Sequence, residues 1–247
     1  TQFIYIENQY LRWPPLADLI RYNAAKQTQD GRDPSLHGSL HLFVITNATE
    51  DGMGPGPVNT QRMLAGLGRA DTIPEVTKLG KIEEVRAGAT PRPQPEPKDL
   101  SGQRELAQWQ RELDRQIKEI NDSSVLAEDI PGLKVHICSL VAPDSPAGRP
   151  WTPVYIHSKL MIVDDVFTTQ GSANLNTRSM QVDSEMNIAH ENAEVTQAMR
   201  RRLWSLHTRG KGAQDDPKQA FTAWGDILKK NKDRLNGEDE EKAGVPD

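Results

Sequence analysis

His157 and Lys159, with Asp164 five positions on, form the stretch of this chain best equipped for chemistry. The run YIHSKLMIVDD around them alternates like a strand, so His157 and Lys159 are expected on one face. An imidazole and an ammonium group placed side by side repel when both are charged. The arrangement makes sense around an anion. Phosphate fits: Lys159 offers a point charge, His157 a nucleophile or proton carrier, and Asn174 a neutral donor. Gly171 and Ser172 are expected to open a helix running from Ala173, turning free backbone N–H groups and the positive end of its dipole toward the same anion. Glu185 lies in the strand-like run QVDSEMNIAH, where a carboxylate is expected to orient the His157 ring and stabilise its charged form.

The spacing H-x-K-x4-D, then six residues, then G-S-x-N, is similar to the signature of the phospholipase D superfamily. It is carried by His157, Lys159, Asp164, Gly171, Ser172 and Asn174. Glu185 stands where that family places the acidic partner of the motif histidine. The opening phrase IYIENQ resembles the segment that begins the second catalytic lobe of two-lobed phospholipases D, which places Asn8 and Gln9 beside the site.

The resemblance implies an α/β/α sandwich with a mixed central sheet, acting on a phosphodiester in two steps without metal or cofactor. One imidazole attacks phosphorus and becomes a phosphohistidine, while a second protonates the leaving alcohol and then activates water. Only one such motif is present, since none of His37, His41, His136, His190 and His207 has a lysine two residues on. The second histidine is therefore expected from an N-terminal lobe, in the same protein or a separate chain, or from a second copy. By the same resemblance His157 is the general acid/base, and Lys159, Asn174 and Ser172 bind phosphate. Glu185 orients His157, and Asp164 fixes the motif by bonding backbone. The implied substrate is a phospholipid, with a peripheral membrane surface as partner and no nucleic acid. The implied setting is secretion to the membranes of a target cell. A nucleic-acid phosphodiesterase of the same superfamily and a non-catalytic lobe that only completes an assembly are the alternatives.

The chain as a whole sets loose bounds on that reading. Its 247 residues suit one large α/β domain or two small ones, and 36% apolar content is adequate for a core. A net charge of −5 argues against wide electrostatic capture of nucleic acid. Cys138, the single cysteine, lies in the apolar run LKVHICSLV and reads as a buried inert thiol, so no internal disulfide forms. No run is apolar enough to cross a bilayer. The chain begins at once with a strand at Thr1 and reads as a piece of something longer, one C-terminal lobe over 1–247.

The elements that must position these residues follow in order. TQFIYIENQYL reads as a central strand of a sheet covered on both faces, with Glu7, Asn8 and Gln9 at its carboxyl end, where α/β sheets bind ligands. A helix starts at Pro14 and Pro15, with Leu16, Leu19 and Ile20 facing inward. SLHLFVITN and LKVHICSLV are further strands, whose His41 and His136 read as core residues. Between them, 50–128 reads as a large insertion. It holds a short helix in NTQRMLAGL, an extended proline-rich stretch, and an amphipathic helix through Leu106, Trp109, Leu113, Ile117 and Ile120 that packs on the domain body. Trp151 either lines a pocket or packs under its loop. After the motif, AEVTQAMRRRLWSLH is a helix with Val195, Met199, Leu203 and Leu206 as its apolar face and Arg200, Arg201 and Arg202 on a solvated one. A last helix carries Phe221, Trp224, Ile227 and Leu228, and the acidic tail, 236–247, is expected to be disordered.

Overall fold

A computed structural model describes residues 1–47, 55–148 and 151–237, apart from the side chains of 55–57. The chain opens with β1 (Phe3–Asn8), β2 (Leu11–Arg12), α1 (Pro14–Gln29), the single turn α2 (Pro34–His37) and β3 (Leu40–Ile45). Three helices follow: α3 (Pro55–Gly66), α4 (Pro74–Gly88) and α5 (Leu100–Asp122). Then come β4 (Leu133–Cys138), β5 (Leu140–Val141), β6 (Pro153–Val154), β7 (Lys159–Val163), β8 (Phe167–Gly171) and β9 (Leu175–Asn176). The chain finishes with α6 (Thr177–Gln181), β10 (Asn187–His190), α7 (Ala193–Thr208) and α8 (Pro217–Leu235).

Six strands form one mixed sheet in the order β10-β8-β7-β1-β3-β4. β1 lies at its centre, parallel to β3 and antiparallel to β7. Its apolar run is continuous because both faces are covered. Ile6, Leu42 and Val44 face α1 and α3, where Ala17, Ile20, Ala24, Met63 and Leu64 meet them. Phe3, Tyr5, Phe43, Ile45 and Ile162 face α7 and α8, where Trp204, Ala220 and Trp224 meet them. The period-2 alternation of β1 and β3 thus divides one strand between two cores, which makes the α/β/α sandwich.

The helices depart from the expected faces in instructive ways. In α1 the buried stripe is Ala17, Ile20 and Ala24, while Leu19 is 55% exposed. In α7 the buried stripe is Thr196, Arg200, Trp204 and Thr208, not the apolar one. Arg200 is fully buried, its guanidinium bonded to Asp165 at 2.7 and 2.8 Å and to Asp215 at 2.9 Å, and it lies 4.7 Å over the Trp204 ring. It is therefore not part of a solvated face. Val195 and Leu206 are exposed instead.

Within 50–128, α3 belongs to the body of the fold, since Met63 and Leu64 complete the α1-side core. The proline-rich stretch after α4 is extended, as expected. α5 packs chiefly on α4 and not on the sheet, so its apolar face meets another helix of the same segment. α4 itself is not evident from the sequence, because its 15 residues bury only Thr77 and Ile82. Most of the acidic tail lies outside the described residues. No helix among the described residues is long and apolar enough to cross a membrane.

Candidate active site

The segment before β7 is held from both sides by side chains. β7 begins at Lys159, so Tyr155, Ile156, His157 and Ser158 precede the strand instead of belonging to it. Backbone groups that lack a ladder partner need another one. Asn47, just past β3, accepts from the Ile156 N–H at 2.7 Å and donates to the Ile156 carbonyl at 2.8 Å and the Gln9 carbonyl at 3.1 Å. The Gln9 N–H donates to the Ser158 carbonyl at 3.1 Å. Polar groups at the ends of β1 and β3 thereby fix the position of His157, and Asn47 does so without having been singled out in the sequence.

His157 and Lys159 come together at one cleft of about 300 Å³, lined also by Glu7, Ser158, Gly171, Met199 and Leu203. The His157 side chain is exposed, with the Tyr155 ring 6.5 Å away. Lys159 is buried, and its ammonium donates to the His157 carbonyl at 2.7 Å and to Gln9 Oε1 at 3.1 Å. Burial lowers its pKa, against the opposing field of Glu185. Gln9 Nε2 donates in turn to the Tyr155 hydroxyl at 2.6 Å. Gln9 is thus a bracket between the lysine and an exposed aromatic ring, which suits the site expected of it.

Asn8 is different. Its Oδ1 accepts from the Tyr10 and Leu175 N–H groups, both at 3.1 Å. Its oxygen ties the end of β1 to β9. Asp164 sits at the far end of β7, in a left-handed conformation (φ 53°), and accepts from the Gln2 and Phe3 N–H groups at 2.6 and 2.9 Å. It fixes β1 to β7 by bonding backbone and does not reach the cleft.

The turn after β8 is not the start of a helix. Gly171 ends β8, and the nearest helix, α6, begins only at Thr177. The backbone N–H groups expected to face an anion are already used: Ser172 donates to the Met186 carbonyl at 3.0 Å, and Ala173 to Asn187 Oδ1 at 3.2 Å. Glycine at 171 is required by this close approach, because a Cβ there would stand 2.2 Å from the Met186 oxygen. Ser172 Oγ donates to Glu185 Oε2 at 2.5 Å, and this bond heads the causes that hold the Glu185 pKa below its ordinary value. Glu185 lies before β10, not in it, and its carboxylate is bonded to Ser172 instead of to His157. Asn174 carries a buried Oδ1 with no hydrogen-bond partner among the described residues. A buried polar atom left unpaired is costly, so Asn174 is where a ligand or a partner would be most welcome.

Glu7, placed by the sequence at the carboxyl end of its strand, makes a contact that the sequence does not show. Glu7 accepts from Ser158 Oγ at 2.5 Å, from the Tyr5 hydroxyl at 2.7 Å, and pairs with His207 Nε2 at 3.1 Å. Burial raises its pKa, yet the bonds from His207, Ser158 and Tyr5 outweigh that and lower it to about 2. His207 carries no lysine two residues on, which is why it drew no attention, and the link to Glu7 spans almost the whole chain. Of the remaining candidates, Trp151 packs, donating to the Pro146 carbonyl at 2.9 Å and lying 5.8 Å from the Arg234 guanidinium. His136 stacks on Phe221 at 3.6 Å, and burial lowers its pKa to about 4. His41 also lies against Phe221, and burial pushes the Cys138 thiol up to about 12. No cluster of three or more metal-ligating side chains occurs among the described residues.

The mixed sheet brings the H-x-K pair to a cleft beside the G-S-x-N turn. Residues 133–207 match the family described as "Cardiolipin synthase, PLD-like domain". Over 70 residues it is 47% identical to phospholipase D alpha 4 of Arabidopsis thaliana, a stretch covering 26% of this chain and 9% of that protein. Among solved structures it is similar to NucT from Helicobacter pylori, with a TM-score of 0.41 and 10% identity over 85% of this chain and 80% of that one.

Proposed function

We propose that this chain is the second catalytic lobe of a phospholipase D that hydrolyses phospholipids to phosphatidic acid and a headgroup alcohol. In this reading a histidine of a partner lobe attacks phosphorus, and the bond to the headgroup oxygen breaks. His157 gives its proton to that oxygen. It then takes a proton from water as the water oxygen displaces the partner imidazole, which releases phosphatidic acid and restores both rings. Lys159, already desolvated, stabilises the charge on the non-bridging oxygens. Asn174 is the neutral donor, and Glu185, bonded to Ser172, holds the turn on the rim in place.

The observation that carries this reading is an apolar border on one side of the cleft. Met199 and Leu203 line it, and the same helix exposes Val195 (50%) and Leu206 (72%). Beyond Gly171 the edge strand exposes Ile188 (71%), with Met186 (79%) just before it. Exposed apolar residues beside a cleft favour a partner lobe or a membrane surface there. A single-motif chemistry that needs two histidines fits a half-site bordered in this way. The stretch of 47% identity to a plant phospholipase D and the IYIENQ opening favour a lipid over other phosphodiesters.

The test is transphosphatidylation. The protein and its His157→Ala variant are mixed with phospholipid vesicles and a primary alcohol, and phosphatidyl alcohol is sought by mass spectrometry. Product from the wild type and none from a folded His157→Ala variant is the expected result. Cleavage of DNA but not lipid would replace the substrate, and full activity in the variant would remove His157 from the mechanism.

A further inference from the structure

We propose that Glu7 is the positioning residue of this cleft, acting through Ser158 and held from behind by His207. The inference rests on reading the cleft as the reaction site.

Ser158 is the residue between His157 and Lys159, and it lies outside the β7 ladder. Its carbonyl is held by the Gln9 N–H at 3.1 Å, and its hydroxyl by Glu7 Oε1 at 2.5 Å. These two bonds, front and back, decide how far apart His157 and Lys159 stand. A hydroxyl bonded to a carboxylate makes a short, strongly directional contact, so it sets the rotation of that residue as well as its place. Glu7 is itself held rigid. Its second oxygen takes the Tyr5 hydroxyl at 2.7 Å and pairs with His207 at 3.1 Å.

A purely structural role explains this arrangement poorly. Glu7 sits on the face of β1 that carries Phe3 and Tyr5, where Trp204 and Trp224 make an apolar core. An apolar residue would pack there with less desolvation, since a buried ion pair seldom stabilises more than its apolar replacement. His207 closes the far side of Glu7: its side chain is 7% exposed, it pairs with Glu7, and it does not line the cleft. It is therefore not a second catalytic histidine. The Glu7–His207 contact is a rigid clamp on the residue between the two groups that handle phosphate.

Ser158→Ala tests this with least disturbance, because Glu7 keeps Tyr5 and His207. Three readouts are combined in the full chain: thermal unfolding, the NMR signal of the His157 ring, and turnover of phospholipid in vesicles. The expected result is an unchanged unfolding midpoint and a His157 signal that shifts and broadens. Turnover falls at least about tenfold through kcat with KM little altered, the pattern of misplacement by a fraction of an ångström. Ser158→Thr, which keeps the hydroxyl, restores the signal and most of the rate. Glu7→Gln combined with Ser158→Ala is no worse than Glu7→Gln alone, since both act through one bond. A His157 signal in Ser158→Ala that matches the wild type overturns the proposal, as do additive losses in the double variant. The NMR readout stands whether or not the substrate is a lipid, so failure of the clamp and failure of the substrate reading are told apart.

Discussion

Lys159 is held by two acceptors, the His157 carbonyl and Gln9 Oε1, which leaves its third proton for a ligand. An ammonium group so placed loses no orientation entropy when phosphate arrives, which is the gain of preorganised electrostatics. Lys159→Ala is expected to lower kcat by about 10²–10³, the usual cost of removing one transition-state donor, while the fold persists; steady-state kinetics with circular dichroism as control checks this. Glu7 makes a separate statement about stability. Its pKa is lowered from 4.5 to about 2, so the unfolded chain binds its proton more readily than the folded one. Its contribution is full above about 4.5 and is lost as pH falls toward about 2. Linkage over that interval corresponds to roughly 3 kcal/mol. Urea midpoints of wild type and Glu7→Gln are therefore expected to differ at pH 7 and to converge near the acid end.

At the scale of elements, close approach and buried charge decide what can change. Gly171→Ala places a methyl group 2.2 Å from the Met186 oxygen and must part β8 from the chain entering β10. A loss of roughly 1–3 kcal/mol is expected by chemical denaturation, as for other overpacked sites. Arg200→Ala strands Asp165 beneath α7 and empties the space over Trp204. Breaking such a pair costs about 3–5 kcal/mol, read as a drop in the unfolding midpoint.

These elements also mark how far the sequence could be read. His157 was expected within its strand, which begins only at Lys159, but the central strand was legible, because a continuous apolar run is a local signal. So was the backbone-fixing role of Asp164. The buried face of α7 was not, because Arg200 becomes a core residue only through Asp165 and Asp215, which no periodicity reveals. The supposed helix after Gly171 failed for a similar reason: its N–H groups are claimed by residues 186 and 187 across the sheet edge. The pairing of Glu7 with His207 stayed hidden because it joins the two ends of the chain.

For the whole molecule, the apolar stripe that α7 turns outward is the feature that most needs a partner. Leu206→Glu is expected to leave the unfolding midpoint within about 0.5 kcal/mol of wild type, as an exposed substitution should, and to abolish association with the partner lobe. Sedimentation velocity of the wild type and the variant, each with the partner lobe, reads this directly.

The central place of β1 has a further consequence, in time instead of space. Its parallel neighbour β3 is made soon after it, but the other side of its ladder waits until β7, where Ile4 pairs with Val163. During synthesis the middle strand of the sheet therefore stands with one edge unpaired while three helices of the intervening segment are produced. Long-range pairing of this kind makes folding slow and leaves an aggregation-prone edge meanwhile. The length of that segment matters far less for final stability, since closure entropy grows only with the logarithm of loop length. Its loops can lengthen or shorten at little thermodynamic cost, and the penalty falls on the nascent chain, whereas loss of α3 would open the core.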